Sequence, residues 1–181
     1  MRDTTTLSLA ISATLVFFAC QQQSNEPKPP PIDQGIEKVR IVSMLDSLNR
    51  AAANADFDAY FNFFTSDATF CGTDAREYWD KKKFMYWAKP YFDKKTTWDF
   101  NALNRNIYFS NDGKFAWFDE LLNTQMKICR GSGVLVRQGG EWKLGQYVLS
   151  MTIPNAKMEK VVALKAPMED SIITELAAPE Q

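Results

Sequence analysis

The chain is 181 residues long, 45% hydrophobic and 13% aromatic, and its 21 basic and 22 acidic side chains leave a net charge of −1. That is enough apolar material for one domain with a core, and the near-neutral balance gives no electrostatic reason to expect nucleic acid as a partner. Histidine is absent, which excludes Ser-His-Asp triads, Cys-His pairs and His-ligated metals, and three Cys are too few for a four-thiolate zinc site. No metal and no other cofactor is expected.

Residues 1–19 read as a signal peptide. Arg2 supplies a short positive start and Leu7 to Ala19 an apolar run, shorter than the roughly 20 residues that span a bilayer comfortably. Phe17-Phe-Ala-Cys20 resembles a bacterial lipobox, so Cys20 is the expected lipidation site; an ordinary secretory cleavage near Ala19, or an uncleaved anchor, is the alternative. Residues 20–34 form a Gln- and Pro-rich stretch that cannot bury a core and suits an extended tether. Gln21, rather than Asp, follows the Cys, and by resemblance to known sorting rules this points to the cell envelope, at the outer membrane. The expected partner there is the lipid bilayer, through Cys20. Cys71 and Cys129 remain, and whether they pair is left open by the sequence.

The folded domain is expected over 35–165. A helix from Gly35 to Asn54 carries Ile36, Val39, Val42, Leu45, Leu48, Ala52 and Ala55 at helical spacing. Asp56 caps a short helix from Phe57 to Phe64. Ala68 to Cys71 reads as a strand, and a helix starts near Asp80 and runs to Lys94, kinked or split at Pro90. Strands follow at Thr97–Asn101, Arg105–Phe109, Lys114–Met126, Cys129–Arg137 and Trp142–Ile153, with tight turns at Asn111–Gly113 and Gln138–Glu141. A short helix is predicted over Ala156–Lys165 and a loose tail over 166–181. Helices followed by a run of strands define an α+β class, with the helices packed on one face of an antiparallel sheet.

Strand alternation then predicts which side chains face the helices. With Lys114 and Lys143 turned to solvent, the inward set is Trp117, Asp119, Arg130, Ser132 and Gln146 with their apolar neighbours, Trp142 and Leu144 among them, and Glu120 replaces Asp119 if a bulge intervenes. A carboxylate and an arginine inside an apolar run are either a polar grip for a ligand or an ion pair that sets register. Asp74 and Trp79, ahead of the third helix, are placed at the mouth of the pocket; Asp74 also suits a plain turn.

Asp56–Phe61, Ser66–Phe70, Gly72–Asp74, Trp117–Glu120, Arg130–Leu135 and Gly140–Leu144 together resemble the SnoaL-like branch of the nuclear transport factor 2-like superfamily, over about Ile36 to Pro154. The resemblance implies a cone-shaped α+β barrel in which a curved sheet wraps a long helix, with a pocket inside and often a homodimer across the outer sheet face. It also implies a range of chemistries. The dehydratase-type sites of that superfamily use His, which this chain lacks. A pocket carboxylate is central to the cyclase-type sites, and Asp119 is the candidate catalytic residue by position. Carboxylates paired with Arg mark the epoxide-hydrolase type, where Asp119 and Arg130 have the right residue types. The function expected first is therefore that of a lipoprotein binding a small, partly apolar molecule through Asp74, Trp79, Trp117, Asp119, Arg130, Ser132 and Gln146. A lyase- or isomerase-type enzyme using Asp119 comes second. An interaction module dimerising through an outer face that includes Tyr147 and Leu149 comes third.

Overall fold

The computed structural model describes residues 32–178. The expected signal peptide, Cys20 and nearly all of the expected tether lie outside the described residues, as do 179–181.

Helix α1 (Gln34–Ala53) begins where the Asp33 carboxylate accepts hydrogen bonds from the backbone N–H of Gly35 and Ile36, at 2.9 and 3.1 Å. Its buried stripe is Glu37, Ile41, Leu45, Leu48 and Ala52. Ile36 and Val39, expected on that stripe, are 54% and 69% exposed. The stripe is set by Ile41, and it turns a carboxylate inward at Glu37. That carboxylate is satisfied on both oxygens, by Trp142 Nε1 at 2.7 Å and by Arg137 and Arg40 at 3.0 Å each.

Helix α2 (Phe57–Asn62), capped by Asp56, leads into β1 (Phe64–Cys71), which is longer than the strand read from the sequence. A turn returns the chain to β2 (Tyr78–Asp80), and Asp80 caps α3 (Lys81–Asp93) by accepting from Lys83 N–H at 2.8 Å. Pro90 does not split α3. It removes one backbone donor, on a face of the helix where Tyr86 and Pro90 are both exposed.

Residues 97–100 are not a strand. The next is β3 (Asn101–Phe109), followed by β4 (Phe115–Thr124), β5 (Lys127–Gln138) and β6 (Glu141–Met151). Both predicted tight turns form. Gly113 has φ 66°, and Gly139 and Gly140, at φ 58° and 87°, make the two-residue hairpin between β5 and β6. The six strands lie in the order β2-β1-β6-β5-β4-β3, antiparallel except for the β1–β6 pair. The sheet curls around α1 and stays open, with β2 and β3 as its edges. The core lies between sheet and helices: Ile41 and Leu45 from α1, Tyr60 and Phe61 from α2, Phe84 from α3, and Phe118, Leu122, Leu135 and Leu144 from the sheet.

The predicted loose tail is instead part of a second long helix, α4 (Met158–Leu176), which continues through Pro167 and buries no residue. It is tied to the β1–β2 turn by an exposed pair, Arg76 to Glu175 at 2.9 Å.

In β4, in β5 and in β6 beyond Gly145 the facing is the reverse of the one predicted. In β4 the residues turned toward α1 are Ala116, Phe118, Glu120, Leu122 and Thr124, and Trp117 and Asp119 point away. Lys114 belongs to the turn before β4, so its exposure says nothing about the parity of the strand that follows. In β5 the inward positions include Gly131 and Gly133, which put Arg130 and Ser132 outside. In β6 Trp142 and Leu144 do face in. A register shift then leaves Gly145 unpaired, because Leu135 pairs with Leu144 and Val134 with Gln146. Beyond it Tyr147 and Leu149 point inward and Gln146 and Ser150 outward.

Candidate functional site

Two features fill the concave side of the sheet. One is a closed charge cluster. Arg105 of β3 reaches under α1, donating from Nε to Glu120 Oε2 at 2.8 Å and from Nη1 to Asp46 Oδ1 at 2.9 Å and to the Val42 carbonyl at 3.3 Å. Its Nη2 also lies 2.7 Å from Glu120 Oε2 but without hydrogen-bond alignment, so that contact is ionic only. Tyr147 Oη donates to the other Glu120 oxygen at 2.9 Å. Burial works against the charge on Arg105, but Glu120 and Asp46 outweigh it and raise the guanidinium pKa above its ordinary value. Burial first, and then the neighbouring Glu120 carboxylate, push the Tyr147 phenol well above 10.0. Glycine makes this possible: a Cβ at Gly131 would stand 2.3 Å from the Tyr147 hydroxyl and 3.0 Å from Glu120. Glu120 is thus an occupied carboxylate facing Arg105 and Tyr147, not one open to a ligand.

The second feature is a cavity of about 180 Å³ walled by aromatic rings. Phe70 comes from β1, Trp79 from β2, Phe84 and Trp87 from α3, and Trp98 and Phe100 from the segment before β3. The rings run nearly parallel. Phe70 stacks on Phe84 at 4.0 Å and 16°, Trp79 on Phe84 at 5.7 Å and 7°, and Trp79 on Trp87 at 4.8 Å and 28°. Phe70 also stacks on Tyr147, at 5.6 Å and 5°, so one ring separates cavity from charge cluster. Thr73, Glu77 and Gln125 supply the polar rim. Glu77 Oε2 accepts from Asp74 N–H at 3.2 Å, and a Cβ at Gly72 would stand 2.1 Å from that oxygen.

Of the predicted site residues, Trp79 lines this cavity. Asp74 shapes the turn at its rim, accepting from Arg76 N–H at 2.9 Å, and does not itself line the wall. Trp117, Asp119, Arg130, Ser132 and Gln146 share one face, as predicted, but it is the outer face. There Asn106 donates to Asp119 at 3.1 Å, Trp117 stacks on Tyr108 at 5.9 Å, and no ion pair among the described residues joins Asp119 to Arg130. Tyr147 and Leu149, expected on an outer dimer face, are buried. Cys71 and Cys129 are free: β6 runs between their strands, with Cys71 beside Val148 and Cys129 beside Met151. Two strand spacings of about 4.8 Å already exceed the roughly 7 Å limit for a bridge. The residues that sequence reasoning missed are Arg105, Asp46 and the ring set Phe70, Trp87 and Trp98. The two glycines of β5, opposite Glu120 and Phe118, are the signal that marks room for large inward side chains.

A family model described as a SnoaL-like domain matches residues 41–154. The chain belongs to the SnoaL-like family. Its domain is similar in fold to an NTF2-like protein of unknown function from Pseudomonas putida KT2440 (TM-score 0.58, 13% identity, 67% of this chain and 90% of that one). It is also similar to a candidate dehydratase of the NTF2-like family from Streptomyces avermitilis (TM-score 0.58, 11% identity, 66% of this chain and 99% of that one). A third similar structure is the association domain of CaMKII from Caenorhabditis elegans (TM-score 0.54, 19% identity, 65% of this chain and 97% of that one). No curated protein matches the chain. At these identities the solved structures speak to the SnoaL-like fold alone.

Proposed function

We propose that this protein is a cell-envelope lipoprotein, anchored through Cys20, whose SnoaL-like domain holds a small, single-ring, partly apolar ligand in the aromatic cavity. The observation that carries the binding reading is the set of near-parallel rings around about 180 Å³. Pockets for drug-sized ligands run from about 300 Å³ upward, whereas a dry cavity of about 150 Å³ accepts benzene, so the space suits one ring with a polar group at the Thr73–Glu77–Gln125 rim. Glu120, closed on Arg105 and Tyr147, does not support the acid/base reading, and Asp119 lies on the other side of the sheet.

Ligand-detected NMR with p-cresol and benzyl alcohol tests the proposal. Binding is expected to the unmodified chain and to Trp117→Ala, with at least a tenfold loss in Met126→Trp, which fills the cavity from the β4–β5 turn. Equal binding by the filled variant, or no binding by any of them, ends this reading.

A second reading is favoured by one further observation. Tyr108, Phe115 and Trp117 are each about half exposed on the outer face of β3 and β4. That face suits a homodimer, and the similarity to an association domain is compatible with it.

A further inference from the structure

Residues 78–96, α3 and its flanks, carry six lysines (81, 82, 83, 89, 94 and 95) against Asp80 and Asp93. The segment is therefore +4 in a chain that totals −1. Lys81 turns inward and donates to the Phe64 carbonyl at 3.0 Å. Lys83 and Lys89 face Asp80 and Asp93, whereas Lys82, Lys94 and Lys95 have no carboxylate partner among the described residues. Between the lysines stand exposed aromatic rings, Trp87, Tyr91 and, most exposed at 87%, Tyr86, with exposed Tyr78 just ahead of them. Lys82, Tyr86 and Pro90 follow one another at intervals of four on the outward side of α3. A groove of about 630 Å³ runs beside them, lined by Tyr86, Trp87, Lys89 and Tyr91 among others. Trp87 walls both this groove and the aromatic cavity.

We propose that this face of α3 docks on an anionic lipid surface and turns the cavity toward it. Tyr and Trp rings settle at the headgroup level, where an apolar body and a polar tip are both satisfied. Lysine stems lie along that boundary while their ammonium groups reach the lipid phosphates. The local charge is opposite in sign to such a surface, although the rest of the chain sums to −5. The docking stands on the α3 face alone. Only its use, exchanging an apolar ligand with the bilayer, rests on the cavity reading.

The full chain carrying Cys20→Ser, so that no acyl group contributes, is mixed with phosphatidylcholine vesicles with and without phosphatidylglycerol. Flotation gives the bound fraction, and acetic anhydride labelling read by mass spectrometry gives the reactivity of each lysine. Lys82, Lys83, Lys89 and Lys94 are expected to be protected on the anionic vesicles at low salt and released at high salt. Lys82→Gln, Lys83→Gln and Lys94→Gln together should weaken partitioning on the order of 100-fold. The control set Lys38→Gln, Lys114→Gln and Lys160→Gln should change it by about twofold or less. Flotation that ignores phosphatidylglycerol and leaves the α3 lysines as reactive as in solution would show attachment through the N-terminal segment and overturn the proposal. Protection by dextran sulfate but not by vesicles would overturn it in favour of an acidic polysaccharide. Lysine protection without p-cresol binding would uphold the docking and remove the cavity reading instead.

Discussion

Arg105 brings a positive charge under α1 and meets two carboxylates and a backbone carbonyl there. Asp46 is partly exposed, but Glu120 is buried, so the cost of desolvation falls on the Arg105–Glu120 pair. Removing one partner strands the other. Arg105→Met is expected to lower unfolding free energy by about 3–5 kcal/mol, measured by urea denaturation. Arg105→Met combined with Glu120→Leu should be less destabilised than Arg105→Met alone; an additive double variant would show that the pair is not coupled. Tyr147 adds a pH dependence. Its folded-state pKa is raised, first by burial and then by Glu120, so the unfolded chain releases the proton first as pH rises. Its contribution is therefore complete below pH about 10, the ordinary phenol value, and is lost as pH climbs above it toward the folded-state value. The fall in Tm above pH about 10 should be shallower in Tyr147→Phe, with a remainder from Tyr60, whose phenol is also raised by burial. An identical alkaline limb in both proteins would contradict this assignment.

At the level of elements, β5 and β6 decide where the interior lies. Alternation was legible in β4 and β5, where Trp117, Asp119, Arg130 and Ser132 do share one face, and in β6 only up to Gly145. Which face is buried was not legible. Lys114 sits in a turn, Gly131 and Gly133 mark inward positions with no side chain to be read, and the unpaired Gly145 shifts the parity halfway along β6. Glycine inside a strand costs packing unless a neighbour fills the space, and here Tyr147 and Phe118 fill it. Gly131→Ala is therefore expected to destabilise by about 1–3 kcal/mol through overpacking. Tyr147→Phe in that background should recover part of the loss, since it removes the hydroxyl 2.3 Å from the new methyl. If thermal melts show no recovery, the collision lies elsewhere. The helix caps were readable from sequence because they are local: Asp56 and Asp80 act within three residues of themselves.

For the whole molecule, the outer sheet face carries exposed Tyr108, Phe115 and Trp117, and the predicted polar residues lie among them. A homodimer across this face is tested by light scattering. The unmodified chain should be dimeric, and Trp117→Lys with Phe115→Lys monomeric with an unchanged melting temperature. A monomer at high concentration before any substitution would remove the dimer. The predicted Asp119–Arg130 grip thus becomes a surface feature, and the proposed ligand contact falls to rings supplied by β1, β2, α3 and the segment before β3.

By itself the sequence determined the α+β class, the caps, the hairpin turns, the exclusion of histidine chemistry and the SnoaL-like family. Each of these depends on residue types at short spacing or on their order along the chain. Tertiary structure alone decided which side of the sheet is concave, that Glu120 rather than Asp119 meets an arginine, and that this arginine is Arg105. It also brought together rings as far apart in sequence as Phe70 and Phe100. A strand's two faces differ by a single residue of parity, and one turn boundary, two glycines and one bulge settle that parity through contacts between strands.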